Sequence, residues 1–376
     1  MFLALREMRR AKVRFALLIS AIGLLVLLIL AQQAIQNGLI TSFIGAIERQ
    51  SAPVLVYSVD GQRTLQGSII TPPLEKTIES VDGVAKAGRI GQGTFTVRLD
   101  GSREDSDAAV IGYTDPDLGA PDGLSAGRLP SSKGEAVGSD TDFKIGDRVK
   151  VLGSGTGGAA GEVLTVVGLA EDAQLQVTPT MFVRWDDYVA TVEAANPDAR
   201  GVLPSAIGVA PVSGLSAGDL AGRINDASEQ ADALTRQDAA DNTPGVSEVQ
   251  SSFRVIFLLF GLVVPLVTGL FFLIITLQKS ASLTLLRAIG APSGVLVRSL
   301  LLQVVLVIGG GLVVGIALYT PLSQATVGDL SLRFDTAAVL AWSVLLMVLG
   351  LLSALAAARR VLAIDPIEAT TGEGSR

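Results

Sequence analysis

The chain contains no cysteine and no histidine among its 376 residues. Without cysteine there is no disulfide framework, no thiolate zinc site and no thiol nucleophile; without histidine there is no imidazole base and no histidine-ligated metal. Most nucleophilic hydrolase triads fall with them. Charge is scarce at 17% and aromatic residues make up 5%, against an apolar fraction of 49%. That balance is too apolar for a disordered chain and unusual for a soluble enzyme, so the apolar excess has to be concentrated somewhere.

It is concentrated in four runs, at about residues 13–31, 255–277, 295–318 and 337–358. Each meets the ~20 mainly apolar residues that a helix needs to cross the hydrocarbon core. The insert between the first two, residues 35–250, has 16 basic and 30 acidic residues and carries −14, which leaves +7 on the remainder of a chain whose total is −7. Arg6, Arg9, Arg10 and Lys12 precede the first run and Arg14 is at its start, Lys279 and Arg287 lie between the second and third with Arg298 at the start of the third, and Arg359 and Arg360 follow the fourth. The loop at 319–336 has only Arg333, balanced by Asp329 and Asp335. Basic flanks mark the cytoplasmic side. The expectation is a polytopic α-helical protein of a bacterial cytoplasmic membrane, both termini cytoplasmic, with four transmembrane helices and an inserted α+β extracytoplasmic domain.

The segments run 1–34 (N-terminal segment and first helix), 35–250 (stalk and α+β domain), 251–278 (second helix) and 279–294 (cytoplasmic coupling helix). They continue with 295–318 (third helix), 319–336 (outer loop), 337–358 (fourth helix) and 359–376 (cytoplasmic tail). A cleaved leader is the competing reading of the N-terminus. The apolar stretch 15–31 exceeds the ~7–15 residues of such leaders, and no clear A-x-A site follows, so an uncleaved span is expected.

Within the insert, Ile35, Leu39, Ile40, Phe43, Ile44 and Ile47 keep helical spacing and predict that the first span continues outward as an amphipathic stalk. Residues 247–253 are its candidate antiparallel counterpart. Two helix ends packing together and a stem that transmits motion both fit. Strands are expected at 54–59, 94–99, 108–113 and 181–183, with a hairpin at 148–152 and 162–169, a proline-opened helix at 72–80 and an alanine-rich helix at 217–236. Gly153 to Gly158 matches G-x-G-x-x-G formally, but β-branched sequence follows where a dinucleotide site needs a helix, so a hairpin loop is the reading. No G-x-x-x-x-G-K-[ST] occurs, which denies the chain its own P-loop ATPase. The acidic clusters at 100–107 and 115–122 lack the calcium-loop pattern and read as solvated loops. Gly309, Gly310, Gly311 and Gly315 permit close helix approach in the third span, Pro265 can kink the second, and Gln303 is a deep polar group. Nothing points to catalysis or to nucleic acid.

Between the second and third spans, Ser282, Leu285, Leu286 and Ile289 share one face of a short helix that Gly290 caps and Pro292 stops. A docking surface for a partner and an ordinary interfacial hairpin are both compatible with that pattern. The run SLTLLRAIGAPSGVLVRSLLLQ at 282–303 resembles the coupling segment of MacB/FtsX-type ABC transporter permeases. AGRLPSSKGEAVGSD and FKIGDRVKVLG, within 126–153, followed by GEVLTVVGLAED, resemble the extracytoplasmic domain of that family, and ARRVLAIDPIEAT at 358–370 resembles its tail. The layout of one helix, a large insert and three helices is also the family's. The short N-terminus and compact insert look most like the HrtB/DevC exporter branch; residues 179–242 match nothing in the family pattern.

The resemblance implies a homodimeric permease that is not itself an enzyme. It works in membrane lipid with two copies of a cytoplasmic ABC ATPase, which supplies ATP and Mg, and it binds no cofactor of its own. Leu285, Leu286, Arg287, Ala288, Ile289 and Gly290 would dock the ATPase. The cargo would be hydrophobic or amphiphilic, with haem the leading candidate, then lipid or drug. Gln32, Gln33, Gln36 and Glu48 are the candidate substrate contacts; among methionines, Met1, Met8, Met181 and Met347 are all there are. An FtsX-like mechanotransmitter that regulates cell-wall hydrolases without transport is the alternative. Intact-mass measurement of the mature protein is expected to show the first 35 residues retained, and their loss would leave an odd number of spans.

Overall fold

The computed structural model describes residues 12–153, 162–199, 201–278, 293–323, 326–327, 330–331 and 336–362. The chain divides into two compact units, one of Met1–Asn37 with Ser251–Arg376 and the other of Gly38–Gln250. Helix α1 (Lys12–Glu48) belongs to both, as one 37-residue element. At about 1.5 Å per residue it is roughly 55 Å long, while the hydrocarbon core takes up ~30 Å. The turns from Gly38 onward belong to the second unit.

The second unit begins with β1 (Val54–Ser58), α2 (Pro72–Glu79), β2 (Val84–Leu99), β3 (Ser106–Tyr113), α3 (Pro116–Gly119), β4 (Ala126–Gly127) and β5 (Glu135–Ser139). It continues with β6 (Arg148–Val151), β7 (Val163–Ala170), β8 (Thr180–Arg184), α4 (Trp185–Ala195), β9 (Ala206–Pro211), α5 (Ala217–Ala227), β10 (Ala231–Thr235) and α6 (Arg236–Asp241). The strand order is β10-β1-β9-β2-β3-β8-β5-β7-β4, and β6 bonds both β2 and β7. By bridging those two, β6 closes a six-strand circuit, β2-β3-β8-β5-β7-β6. Strand β7 alternates half-buried and buried residues along its length, and Leu164 and Val166 join Val97, Val110, Val149, Val151 and Met181 in one core.

The other half of the domain interleaves β1-α2-β2 with β9-α5-β10, all neighbours antiparallel, in a split β-α-β arrangement. Leu74 and Ile78 of α2 and Leu220 and Ile224 of α5 bury against Val54, Val56, Ile207 and Val209. Strand β2 serves both halves because it is 16 residues long: Val84 to Ile90 pair with β9, Ile90 to Val97 with β3, and Val97 to Leu99 with β6. Gly91 and Gly112 make the slot for Tyr188 of α4, since a methyl on either would come within 2.3 Å of it.

The expected helix at 217–236 is corrected. It ends at Ala227, β10 follows, and a second helix begins at Arg236. The Asn225 side chain donates to the carbonyl of Ala233 (3.0 Å) and accepts from its N–H (2.7 Å), turning the chain back, and all five residues of β10 pair with β1. Tertiary pairing overrides alanine's helix preference here. Strand β2 also starts ten residues earlier than expected, and β5, β9 and α4 are additions.

In the first unit, α1, α7 (Val246–Gln278), α8 (Ser293–Leu322) and α9 (Thr336–Leu362) each contain a stretch long and apolar enough to cross a membrane. Phe15, Leu18, Ile22, Val26 and Ile29 of α1 bury with Val304, Val307, Ile308 and Leu312 of α8. Gly311 allows the approach, because a methyl there would meet Ile22 at 2.4 Å. Gln303 is buried at 1% exposure. On α7 and α9, the rings of Phe257 and Trp342 meet at a 44° tilt with centroids 5.1 Å apart, and the Ser353 hydroxyl donates to the Pro265 carbonyl at 2.8 Å. Leu258, Leu259, Leu262, Leu266 and Leu270 of α7 are exposed, a face suited to lipid.

Two substitutions check this packing. Gly112→Ala should lower domain stability by about 1–3 kcal/mol through overpacking against Tyr188, read from the denaturant midpoint. Gly311→Leu should lower the thermal midpoint of the detergent-solubilised protein by separating α1 from α8, whereas Leu262→Ala on the exposed face of α7 should leave it nearly unchanged.

Candidate functional site

The expected ATPase-docking residues, Leu285 through Gly290, lie outside the described residues, as does most of the glycine-rich run after Gly153. The candidate substrate contacts are described, and all four sit on α1. Gln32 and Gln33 are half-buried. Gln33 is held on both sides: its amide donates to Asn37 Oδ1 (2.9 Å) and its carbonyl accepts from Trp342 Nε1 (3.3 Å). Gln36 Oε1 is buried without a hydrogen-bond partner among the described residues, an acceptor open to a donor group. Glu48 lies twelve residues further along α1, in the second unit.

Glu48 instead belongs to the end of α1 inside the domain. There Ile44 and Ile47 are buried among Leu55, Tyr57, Ile111 and Phe182. Val246, the first residue of α7, is buried in the same core, so the expected counterpart of the stalk begins where α7 does. Backbone bonds fasten the helix end, with Ser51 N–H donating to Ala120 (2.9 Å) and Asp122 N–H to Arg49 (2.6 Å). Arg236 donates to the Gln50 carbonyl and to Asp122 Oδ2, the latter at 3.1 Å. Arg49 reaches Asp172 at 3.5 Å. Partial burial, with Asp241 and Asp172 nearby, raises the Glu48 carboxyl above its ordinary value, and Arg49 offsets this in part.

The remaining sequence candidates resolve into structure. Arg128 and Glu135, in the family-like AGRLPSSKGEA run, form a two-pronged ion pair whose shorter distance is 2.5 Å, and Ser131 and Ser132 N–H groups also donate to the carboxylate. The Arg128 guanidinium, with those N–H groups, holds Glu135 well below the usual carboxylate range. The motif is thus a loop closure next to β5. In the acidic clusters, Asp105 pairs with Arg98 (2.6 Å), Asp107 accepts from Thr96 (3.1 Å) and Asp115 caps α3. Among the described residues, no cluster of three or more carboxylates could hold a metal ion. Met181 is fully buried in the six-strand core, which removes it as a cargo ligand. The contact between α1 and residues 172–178 has no motif in the sequence; Gly45, inside an otherwise amphipathic helix, is its one local signal.

Glu48 gives a signed expectation. A carboxyl raised in the folded state favours folding most when protonated, and that contribution is lost as pH rises through its folded value. Glu48→Gln should therefore raise the unfolding midpoint at pH 7, and the gain should vanish near pH 4, measured by thermal unfolding of the full chain.

No family model matches the chain. Full-length relatives do. A protein of Staphylococcus haemolyticus described as a hemin transport system permease, HrtB, is 23% identical over 99% of both chains. An uncharacterised ABC transporter permease of Mycobacterium tuberculosis is 24% identical, again over 99% of both. Among solved structures, the extracellular domain of the ABC-type transporter YknZ covers 48% of this chain and 99% of its own at 15% identity. The periplasmic region of MacB from Actinobacillus actinomycetemcomitans covers 52% and 96% at 12% identity. Their TM-scores are 0.32 and 0.35. The sequence relatives reach both units, and from end to end the chain is similar to ABC transporter permeases of the HrtB type.

Proposed function

We propose that the chain is the permease subunit of an ABC-type efflux system that moves a hydrophobic or amphiphilic compound out of the membrane, with haem the leading cargo, followed by lipid or drug. The observation that carries this is the full-length similarity to proteins named for hemin transport. The division of charge supports both termini cytoplasmic and the −14 domain outside. Two permease copies would work with two copies of a cytoplasmic ATPase, which brings ATP and Mg and docks on Leu285, Leu286, Arg287, Ala288, Ile289 and Gly290. Their apolar side chains would enter a groove, and Arg287 would pair with a carboxylate of the partner.

Haem as cargo would find no histidine or cysteine here. Its contacts would come from Gln32, Gln33, Gln36 and Glu48, and the open acceptor on Gln36 and the carboxylate of Glu48 are the groups best suited to a polar edge. The continuity of α1 from span to domain core also favours a second reading, an FtsX-like mechanotransmitter that regulates cell-wall hydrolases, since force transmission needs no cargo.

Two measurements test the leading reading. Arg287→Glu should abolish most permease-stimulated ATP hydrolysis by the partner, since opposed like charges at an interface cost several kcal/mol; unchanged stimulation would remove the docking assignment. Haem titration of the purified chain should give a saturable Soret shift that Glu48→Ala weakens, and a shift indifferent to that change would remove Glu48 from the cargo path.

A further inference from the structure

Residues 171–178, which join β7 to β8, lie along the last turns of α1, entirely within the second unit. Ala46 N–H donates to the Gln174 carbonyl at 2.8 Å, Val177 N–H to the Ser42 carbonyl at 2.7 Å, and Gln176 N–H to the Phe43 carbonyl at 2.9 Å. In a regular helix the N–H of residue 46 bonds the carbonyl of residue 42. Here each of those two groups has a partner in the loop, so the loop engages both ends of one rung of the helix. Gly45 makes room: a methyl there would sit 2.0 Å from the Asp172 carbonyl oxygen.

The loop adopts an uncommon backbone to reach this position. Asp172, Gln176 and Val177 all have positive φ, at 55°, 53° and 58°. For β-branched Val177 that conformation is an outlier. Such strain persists only where surroundings over-determine it, and they do so here. Gln174 Nε2 donates to Asp142 Oδ2 (2.7 Å), Leu175 N–H donates to Thr180 Oγ1 (2.9 Å), and Ala173 and Leu175 are buried with Ile44 and Ile47. Two arrangements therefore compete. One keeps the loop's bonds and burial, with the Ala46 proton on the Gln174 carbonyl; the other gives that proton to the Ser42 carbonyl and relaxes three residues.

We propose that this contact is a two-position joint between α1 and the six-strand half of the domain. It is closed as described above, and it opens when the loop withdraws and the Ser42 carbonyl takes the Ala46 N–H. Because the loop's ends are β7 and β8, opening frees the helix end from two strands of the closed circuit. The use of the joint rests on the permease reading, in which the partner's ATP cycle shifts its balance; the joint itself does not.

Amide hydrogen exchange on the full chain in nanodiscs reads the joint directly. The Ala46 amide keeps a partner in both positions and stays protected, whereas those of Gln176 and Val177 are expected to exchange at least tenfold faster than those of β1 and β9, through a local opening. Gly45→Ala, which crowds Asp172 and favours helix, should speed them tenfold or more with the strands unchanged. Gln176→Gly should slow them, because glycine accepts positive φ freely and the Gln176 side chain is exposed. If these amides exchange at the rate of the strands, or if both variants shift exchange in the same direction, the joint is refuted; Gln176→Gly keeps the test should Gly45→Ala fail to fold. Adding the partner ATPase with MgATP should raise exchange at the same amides. No change there, with both variants behaving as expected, would leave the joint standing and overturn its coupling to ATP.

Discussion

A single helix has to be satisfied by two solvents. Through its first turns α1 presents Ile22, Val26 and Ile29 to α8 inside the membrane unit, and through its last turns it presents Ile44 and Ile47 to the core of a water-exposed domain. No loop intervenes between the two environments. The rest of the domain's organisation follows from receiving a helix end: a core built around Leu55, Tyr57, Ile111 and Phe182, the Arg236 and Asp122 contacts that fasten Gln50, and the β7–β8 loop laid against the helix backbone. A domain attached by a flexible linker would need none of these.

The two halves of the domain share β2, so a displacement of that strand reaches both. On one side it lies beside β9 in the split β-α-β sheet; on the other it is a member of the closed six-strand circuit. Closure leaves those six strands without a free edge within the circuit, which protects a surface-exposed domain from edge pairing. The division of charge follows the same plan, with acid on the folded domain and base at the membrane.

Much of this is legible in sequence where the signal is local. Four apolar runs announce four spans, the spacing of Ile40, Phe43, Ile44 and Ile47 announces the helix, and the β-branched run at 162–169 announces one arm of a hairpin. Where sequence fails, the determining partner is distant. Residues 231–235 are alanine-rich and become strand because β1 offers an edge, and Glu135 to Ser139 is too short and too rich in small residues to show a period. The contact at residues 172–178 has no motif at all; its cause is the approach of two backbones, and of the residues that form it only Gly45 leaves a trace. The four candidate substrate residues are read from residue type and from their place on α1, the glutamines at the outer membrane boundary and Glu48 on the stalk. The docking residues from Leu285 to Gly290 rest on family resemblance, which reads identity of sequence and says nothing of geometry.

The claim that this chain converts a partner's ATP cycle into export of an amphiphile is tested most directly by ATP hydrolysis. The chain and its cognate ATPase would be copurified, placed together in nanodiscs and assayed against haem, membrane lipids and hydrophobic drugs in turn. Export predicts saturable stimulation by one of these classes, haem first, that is lost when the permease is omitted. A complex that assembles and hydrolyses ATP at a rate indifferent to every class would contradict it.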